Sequence, residues 1–220
     1  MLLYKRPYSP KPYKEKNMSK MSFRSLEESQ EFSIRRTRRT LHDLVRCNNF
    51  DLFVTFTFDP KKVNRYDMGA TFVKMQSWLW RQHQKNHDFK YLIVPEKHKD
   101  GAIHFHALMA DYPFSLKKTN VIQDSRRVFN ITAFRFGFTN ATYLPDDDKD
   151  KVGNYIAKYI TKDMITLHNK RRYWSSKNLK KPITYYNSVY DLGLNDHLDH
   201  TTEILETDFN TMFHVPKDSL

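Results

Sequence analysis

The hydrophobic pattern changes period several times along the chain, and each change marks an element. Ile34, Leu41, Leu44 and Val45 recur at helical spacing while Arg35, Arg36, Arg38 and Arg39 fill the other positions, which predicts an amphipathic helix. Ser25 followed by Glu28 fits a capping box at its start. Residues 50–58, FDLFVTFTF, are β-branched and aromatic almost throughout and close on Asp59-Pro60, the pattern of a buried strand. Phe72, Met75, Trp78, Leu79 and Gln82 fall on successive turns of 68–85, a second amphipathic helix. Two short apolar runs, 90–96 (KYLIVPE) and 103–110 (IHFHALMA), flank Asp100-Gly101 and read as a hairpin. Residues 128–138 alternate as a fourth strand, and DDDKD at 146–150 sets carboxylates at the start of a helix from 151 to about 166.

The order helix, β, α, β, β, β, α predicts an α+β fold, a largely antiparallel central sheet flanked by helices. Residues 1–20 interleave Lys, Pro and Tyr without periodicity and read as a flexible basic arm. Residues 21–186 then form the folded domain, and 187–220 an acidic C-terminal tail.

Composition narrows the class. The 220 residues are 39% hydrophobic and 15% aromatic, enough for one sizeable core. No stretch approaches the ~20 apolar residues that cross a bilayer, and the first residues carry charges and prolines where a secretory signal needs an apolar run. A single cysteine, Cys47, excludes an internal disulfide and a cysteine-rich zinc cluster. The expectation is a soluble cytoplasmic protein with no membrane partner. Net charge is +12. After Asn187 seven acids (Asp191, Asp196, Asp199, Glu203, Glu206, Asp208, Asp218) face one base, Lys217, a balance of −6, so 1–186 carry +18. A body that basic and that rich in aromatics points to a polyanion, above all nucleic acid.

Two constellations carry chemistry. His104 and His106 lie two apart on a predicted strand, which puts both imidazoles on one face and Phe105 on the other. Paired imidazoles suit a divalent cation. The hairpin folds Glu96 back alongside them; His98, nearer the turn, is the rival third ligand. The second constellation is Tyr155-Ile-Ala-Lys158-Tyr159-Ile-Thr-Lys162. On a helix Tyr155 and Tyr159 emerge on one face a turn apart, with Lys158 and Lys162 each three residues after a tyrosine. A free phenol, with a pKa of about 10, is a poor nucleophile; an ammonium beside it favours phenolate or steadies a phosphate under attack.

Taken in order, FVTFTF (53–58), HFH (104–106) and YIAKYITK (155–162) resemble the three motifs of the HUH endonucleases, most closely the two-tyrosine rolling-circle replication initiators of small single-stranded DNA phages and plasmids. RRYWSSKNLKKP (171–182) is similar to the basic stretch that follows the tyrosine helix in phage initiators. The resemblance implies an RRM-like palm, and an enzyme that nicks one strand at a replication origin, keeps a 5′-phosphotyrosine link and later rejoins the ends. It implies His104, His106 and Glu96 as ligands of Mg²⁺ or Mn²⁺, Tyr155 and Tyr159 as alternating nucleophiles, and Lys158 and Lys162 as their catalytic neighbours. Arg35, Arg36, Arg38, Arg39, Arg171, Arg172, Lys180 and Lys181 are the candidate DNA-backbone contacts, and Tyr173, Trp174 and Tyr185 candidate stacking groups for unpaired bases. Thr55 and Thr57 read as structural strand residues. No Gly-x-x-x-x-Gly-Lys-Ser/Thr loop is present, so unwinding falls to a host helicase, and synthesis to a host polymerase. The alternatives are a transposase or relaxase of the same superfamily and a nucleic-acid-binding module that does not cleave. A basic structural virion protein would explain the charge but not the ordered motifs.

Overall fold

A computed structural model describes residues 2–4, 26–144, 149–159, 172–182, 202–206 and 210–214. In chain order the elements are β1 (Leu2–Tyr4), α1 (Leu26–Cys47), β2 (Leu52–Phe58), α2 (Met68–Lys85), β3 (Lys90–Lys97), β4 (Ile103–Ala110), β5 (Leu116–Gln123), β6 (Arg126–Ile131), β7 (Gly137–Tyr143), α3 (Lys149–Ala157), β8 (Trp174–Ser175), β9 (Thr202–Glu206) and β10 (Asn210–His214). They fall into two compact units, Arg24–Pro182 and the two chain termini taken together. In the terminal unit β10 pairs antiparallel with both β1 and β9. No described helix is long and apolar enough to cross a membrane.

The main unit is α+β, as the element order predicts. Its seven-stranded sheet runs β5-β6-β7-β2-β4-β3-β8, with every pairing antiparallel. Period two along each strand divides the side chains between two layers. Leu52, Val54, Phe56 and Phe58 of β2, with Phe105, Ala107 and Met109 of β4, pack beneath Phe72, Met75, Trp78 and Leu79 of α2. The alternate residues Phe53, Leu92, Val94 and Leu108 meet Ile34, Leu41, Leu44 and Val45 of α1 and Val152 and Ile156 of α3. Both cores are fully apolar, so burial alone fixes which strand residues face which helix; a slip of one residue would exchange the layers.

The structure departs from the sequence-based elements in two places. Residues 128–138 are not one strand. They hold the end of β6, a turn and the start of β7, and β6 is preceded by β5, which the pattern missed. Hydrophobic alternation continues through the turn because Phe134 is itself core, wedged against Phe56, Phe58 and Trp78. β5 carries the sequence LKKTNVIQ on an edge, mostly exposed, and so gives no hydrophobic signal. Asp124 and Ser125, at φ 47° and 62°, form the tight turn joining β5 to β6. The last helix also ends earlier among the described residues: α3 stops at Ala157, and Lys158 and Tyr159 form a turn, with the Tyr159 amide bonded to the Ile156 carbonyl at 3.3 Å.

Asn48 ties the 172–182 segment to the end of α1. Its amide nitrogen donates to the carbonyls of Leu44 (2.8 Å) and Lys180 (2.9 Å), and its oxygen accepts from the Lys180 amide at 3.0 Å. Trp174 lies against Phe72 and Phe105 and Tyr173 packs on the α1–α3 core, so both serve packing rather than an exposed stacking surface. Tyr185 lies outside the described residues.

Candidate active site

The ladder places the histidines as their spacing predicts. His106 is opposite Thr55 of β2 and Val94 of β3, and His104 is opposite Thr57 and Glu96. All of these sit on the α1–α3 face, where the apolar layer gives way to polar side chains.

His106 is 5% exposed and both its nitrogens are engaged. Nδ1 lies 3.1 Å from Thr55 Oγ1 and Nε2 lies 2.7 Å from a Glu96 carboxylate oxygen. A carboxylate only accepts, so Nε2 carries the proton in this arrangement, and Nδ1 accepts from the threonine hydroxyl. The hydrogen bond from His106 holds the Glu96 carboxyl below its usual range despite opposing burial, with the His106, His104 and His98 imidazoles adding to the effect. His104 is pushed away from a free imidazole in the same direction: burial lowers its pKa, and the neighbouring His98 and His106 lower it further. A neutral imidazole is the form that binds metal. The His98 ring stacks on His104 at 5.0 Å and its Nδ1 lies 3.2 Å from Asp100. His98 therefore sits at the outer side of His104.

Two imidazoles and a carboxylate on one sheet face have the donor chemistry of a small divalent cation. The Glu96–His106 hydrogen bond is the contact that coordination would replace. Among the described residues no group of three or more His, Cys, Asp or Glu side chains is already arranged around an ion position.

α3 carries the tyrosines over this cluster. It approaches α1 closely at Gly153, where a Cβ would fall 2.6 Å from His42 Nδ1. Although Tyr159 lies just past the helix, the two phenols still meet: their oxygens are 3.5 Å apart. The Tyr159 ring lies flat on the His106 imidazole, 3.6 Å between centroids at 9°. Tyr155 stands edge-on to Phe53 at 4.7 Å and is 36% exposed. Burial raises the Tyr159 phenol well above its ordinary value, helped by Tyr155 and by the Glu96 charge. Lys158 Nζ sits over both rings, 3.8 Å from the Tyr155 centroid and 4.9 Å from that of Tyr159.

The structure thus brings together Glu96, His104, His106, Tyr155, Lys158 and Tyr159. Arg35, Arg36, Arg38 and Arg39 are exposed along α1, Arg35 facing Glu31 at 3.7 Å. Arg172 is half-buried, and Lys180 and Lys181 are exposed. Lys162 and Arg171 lie outside the described residues.

Sequence reasoning missed two groups on this face. Phe138 of β7 is opposite Thr57, and Asn140 is opposite Thr55. Both are exposed, Phe138 at 66%. An aromatic in an alternating run signals core, so only the pairing register could reveal Phe138 as a surface group in line with His104.

Fold and motif order agree with a Rep-type rolling-circle initiator. The chain belongs to the ORF2-type replication-associated protein family, whose sequence model matches residues 51–164. No curated protein matches the chain, and no solved structure does.

Proposed function

We propose that the protein is a sequence-specific single-stranded DNA endonuclease and strand transferase. It nicks a replication origin through a 5′-phosphotyrosine intermediate and rejoins the ends, initiating and terminating rolling-circle replication of a phage or plasmid. The observation that carries this reading is the meeting of two phenols 3.5 Å apart above the ring of a histidine whose Nε2 is held by a carboxylate. Membership of a replication-associated family supports DNA at an origin as the substrate.

His104, His106 and Glu96 would hold Mg²⁺ or Mn²⁺. A cation there supplies Lewis-acid polarisation of the scissile phosphate and charge stabilisation on the leaving oxygen. Thr55 suits this role because a hydroxyl both donates and accepts: it serves His106 Nδ1 when Nε2 is protonated, and equally when Nε2 is a ligand and the proton sits on Nδ1.

The chain's own groups perform the transfer. A tyrosine oxygen attacks phosphorus, the bond from phosphorus to the 3′-oxygen breaks, the phenol proton is lost and the 3′-oxygen leaves as a hydroxyl. In reverse, a 3′-hydroxyl attacks the phosphotyrosine and the phenol is restored, so joining needs no ATP. Lys158, between the two rings, offsets negative charge as either phenol loses its proton. Lys162 is a second candidate for the same task. Phe138 and Asn140 offer a stacking surface and an amide to the unpaired strand beside the cut. Arg35, Arg36, Arg38, Arg39, Arg171, Arg172, Lys180 and Lys181 supply backbone contacts, which makes affinity steeply salt-dependent. A host helicase and polymerase would complete the reaction cycle.

Within the same superfamily, the contact between Tyr155 and Tyr159 favours a two-tyrosine initiator over a single-tyrosine transposase or a relaxase. The test against a non-cleaving binder is His106→Ala: DNA binding is retained and metal-dependent cleavage is lost. Full cleavage by that variant would refute the site.

A further inference from the structure

We propose that Tyr155 makes the first cut and that Tyr159 is the reserve nucleophile, brought into play for the second transfer. This inference rests on the nicking-and-joining reading above and assigns an order to its two nucleophiles.

The two side chains differ in freedom although their hydroxyls nearly touch. Tyr159 is clamped: one ring face lies on His106 at 3.6 Å, and the ring is also parallel to Phe53 at 6.5 Å. Attack on phosphorus requires the phenol oxygen to approach opposite the leaving group. A phosphate reaching Tyr159 would have to draw the ring off His106 first. Tyr155 has no such contact: its neighbours are the edge of Phe53 and the Lys158 ammonium, and it is the more exposed of the pair. Strand arriving from solvent therefore meets Tyr155 first. The remaining contact works in the same direction. The Tyr159 hydroxyl donates toward the Tyr155 oxygen, so it supports negative charge on Tyr155 as the first bond forms.

The backbone explains how the roles can later exchange. Tyr155 is set within α3, but Tyr159 is on the turn beyond it, held by one 3.3 Å bond to Ile156. Once Tyr155 is esterified it no longer offers a free phenolate for that hydrogen bond. The turn then gives Tyr159 the freedom to swing off His106 toward a second phosphate. The second transfer repeats the chemistry of the first: the Tyr159 oxygen bonds to the new phosphorus, the 3′-oxygen leaves as a hydroxyl, and that hydroxyl attacks the Tyr155 phosphodiester to release its phenol.

The order is read directly from the wild-type protein. Full-length protein in excess over a pool of single-stranded oligonucleotides with a randomised centre is incubated with Mn²⁺, so that each chain cuts at most once. The adduct is trimmed with nuclease, digested with trypsin and mapped by mass spectrometry. Lys151, Lys158 and Lys162 place the two tyrosines on separate peptides, VGNYIAK and YITK. The nucleotide is expected on Tyr155 at the earliest times, with up to about a tenfold excess over Tyr159, the bias one aromatic stacking contact sustains. A nucleotide first on Tyr159, or equally on both, overturns the order and leaves the phosphotyrosine reading intact. No adduct on either peptide overturns the phosphotyrosine reading, and the order with it.

Discussion

Replacing Thr55 by valine removes one hydroxyl at nearly constant volume and keeps a β-branched residue on β2. The group deleted is the partner of His106 Nδ1, 3.1 Å away. His106 is 5% exposed, so water cannot readily take the hydroxyl's place, and the ring keeps only its bond to Glu96. A buried polar atom left without a partner costs ~1–3 kcal/mol. In a domain of this size each kcal/mol moves the melting temperature by ~2–4 °C. Thr55→Val should therefore melt about 2–12 °C lower by calorimetry, while Thr55→Ser, which keeps the hydroxyl, stays close to wild type. The same hydroxyl orients a proposed metal ligand, and losing such a partner typically weakens metal affinity by ~10–100-fold. The Mn²⁺ concentration for half-maximal cleavage should rise accordingly in the valine variant and not in the serine one. If valine is tolerated without a change in melting or in metal requirement, Thr55 does not position His106.

Three further outcomes follow from other contacts. Gly137→Ala would drive a Cβ into the Thr57 carbonyl oxygen and to within 2.7 Å of the Asp59 nitrogen and 2.8 Å of Phe58 Cα. These are backbone atoms that cannot turn aside, so urea unfolding should show a loss of about 3 kcal/mol or more. Phe138→Ala should leave stability within ~0.5 kcal/mol, because the ring is exposed, yet weaken single-stranded DNA binding by ~1–3 kcal/mol in fluorescence anisotropy. Lys180→Ala and Lys181→Ala should each reduce the slope of log affinity against log salt by ~0.7.

The sheet's central strands were legible because burial writes itself into period two. β2 and β4 alternate between two apolar layers, and the polar breaks in that alternation, His104 and His106, mark where one layer opens to the site. The hairpin reading of 90–110 placed Glu96 beside the histidines for the same reason. Edges and turns were not legible. β5 is held by backbone pairing with β6 rather than by an apolar face, and Phe134 hides a turn by being core. The Asn48–Lys180 contact joins residues 132 positions apart, beyond the reach of any local pattern. The tyrosine spacing correctly brought two phenols together, although the contact is made across a helix end rather than along a continuous helix. That Tyr159 lies on His106 depends on how closely α3 approaches α1 over Gly153, which is a tertiary property.

Covalent capture of DNA is the most direct measurement. Purified protein is mixed with labelled single-stranded DNA of its replicon and Mn²⁺ or EDTA, alongside the double variant Tyr155→Phe/Tyr159→Phe, and resolved on a denaturing gel. A labelled protein–DNA adduct is expected with Mn²⁺ alone, absent with chelator and absent in the double variant. Tight binding without an adduct, or an adduct undiminished in the double variant, would contradict a tyrosine-mediated nicking enzyme.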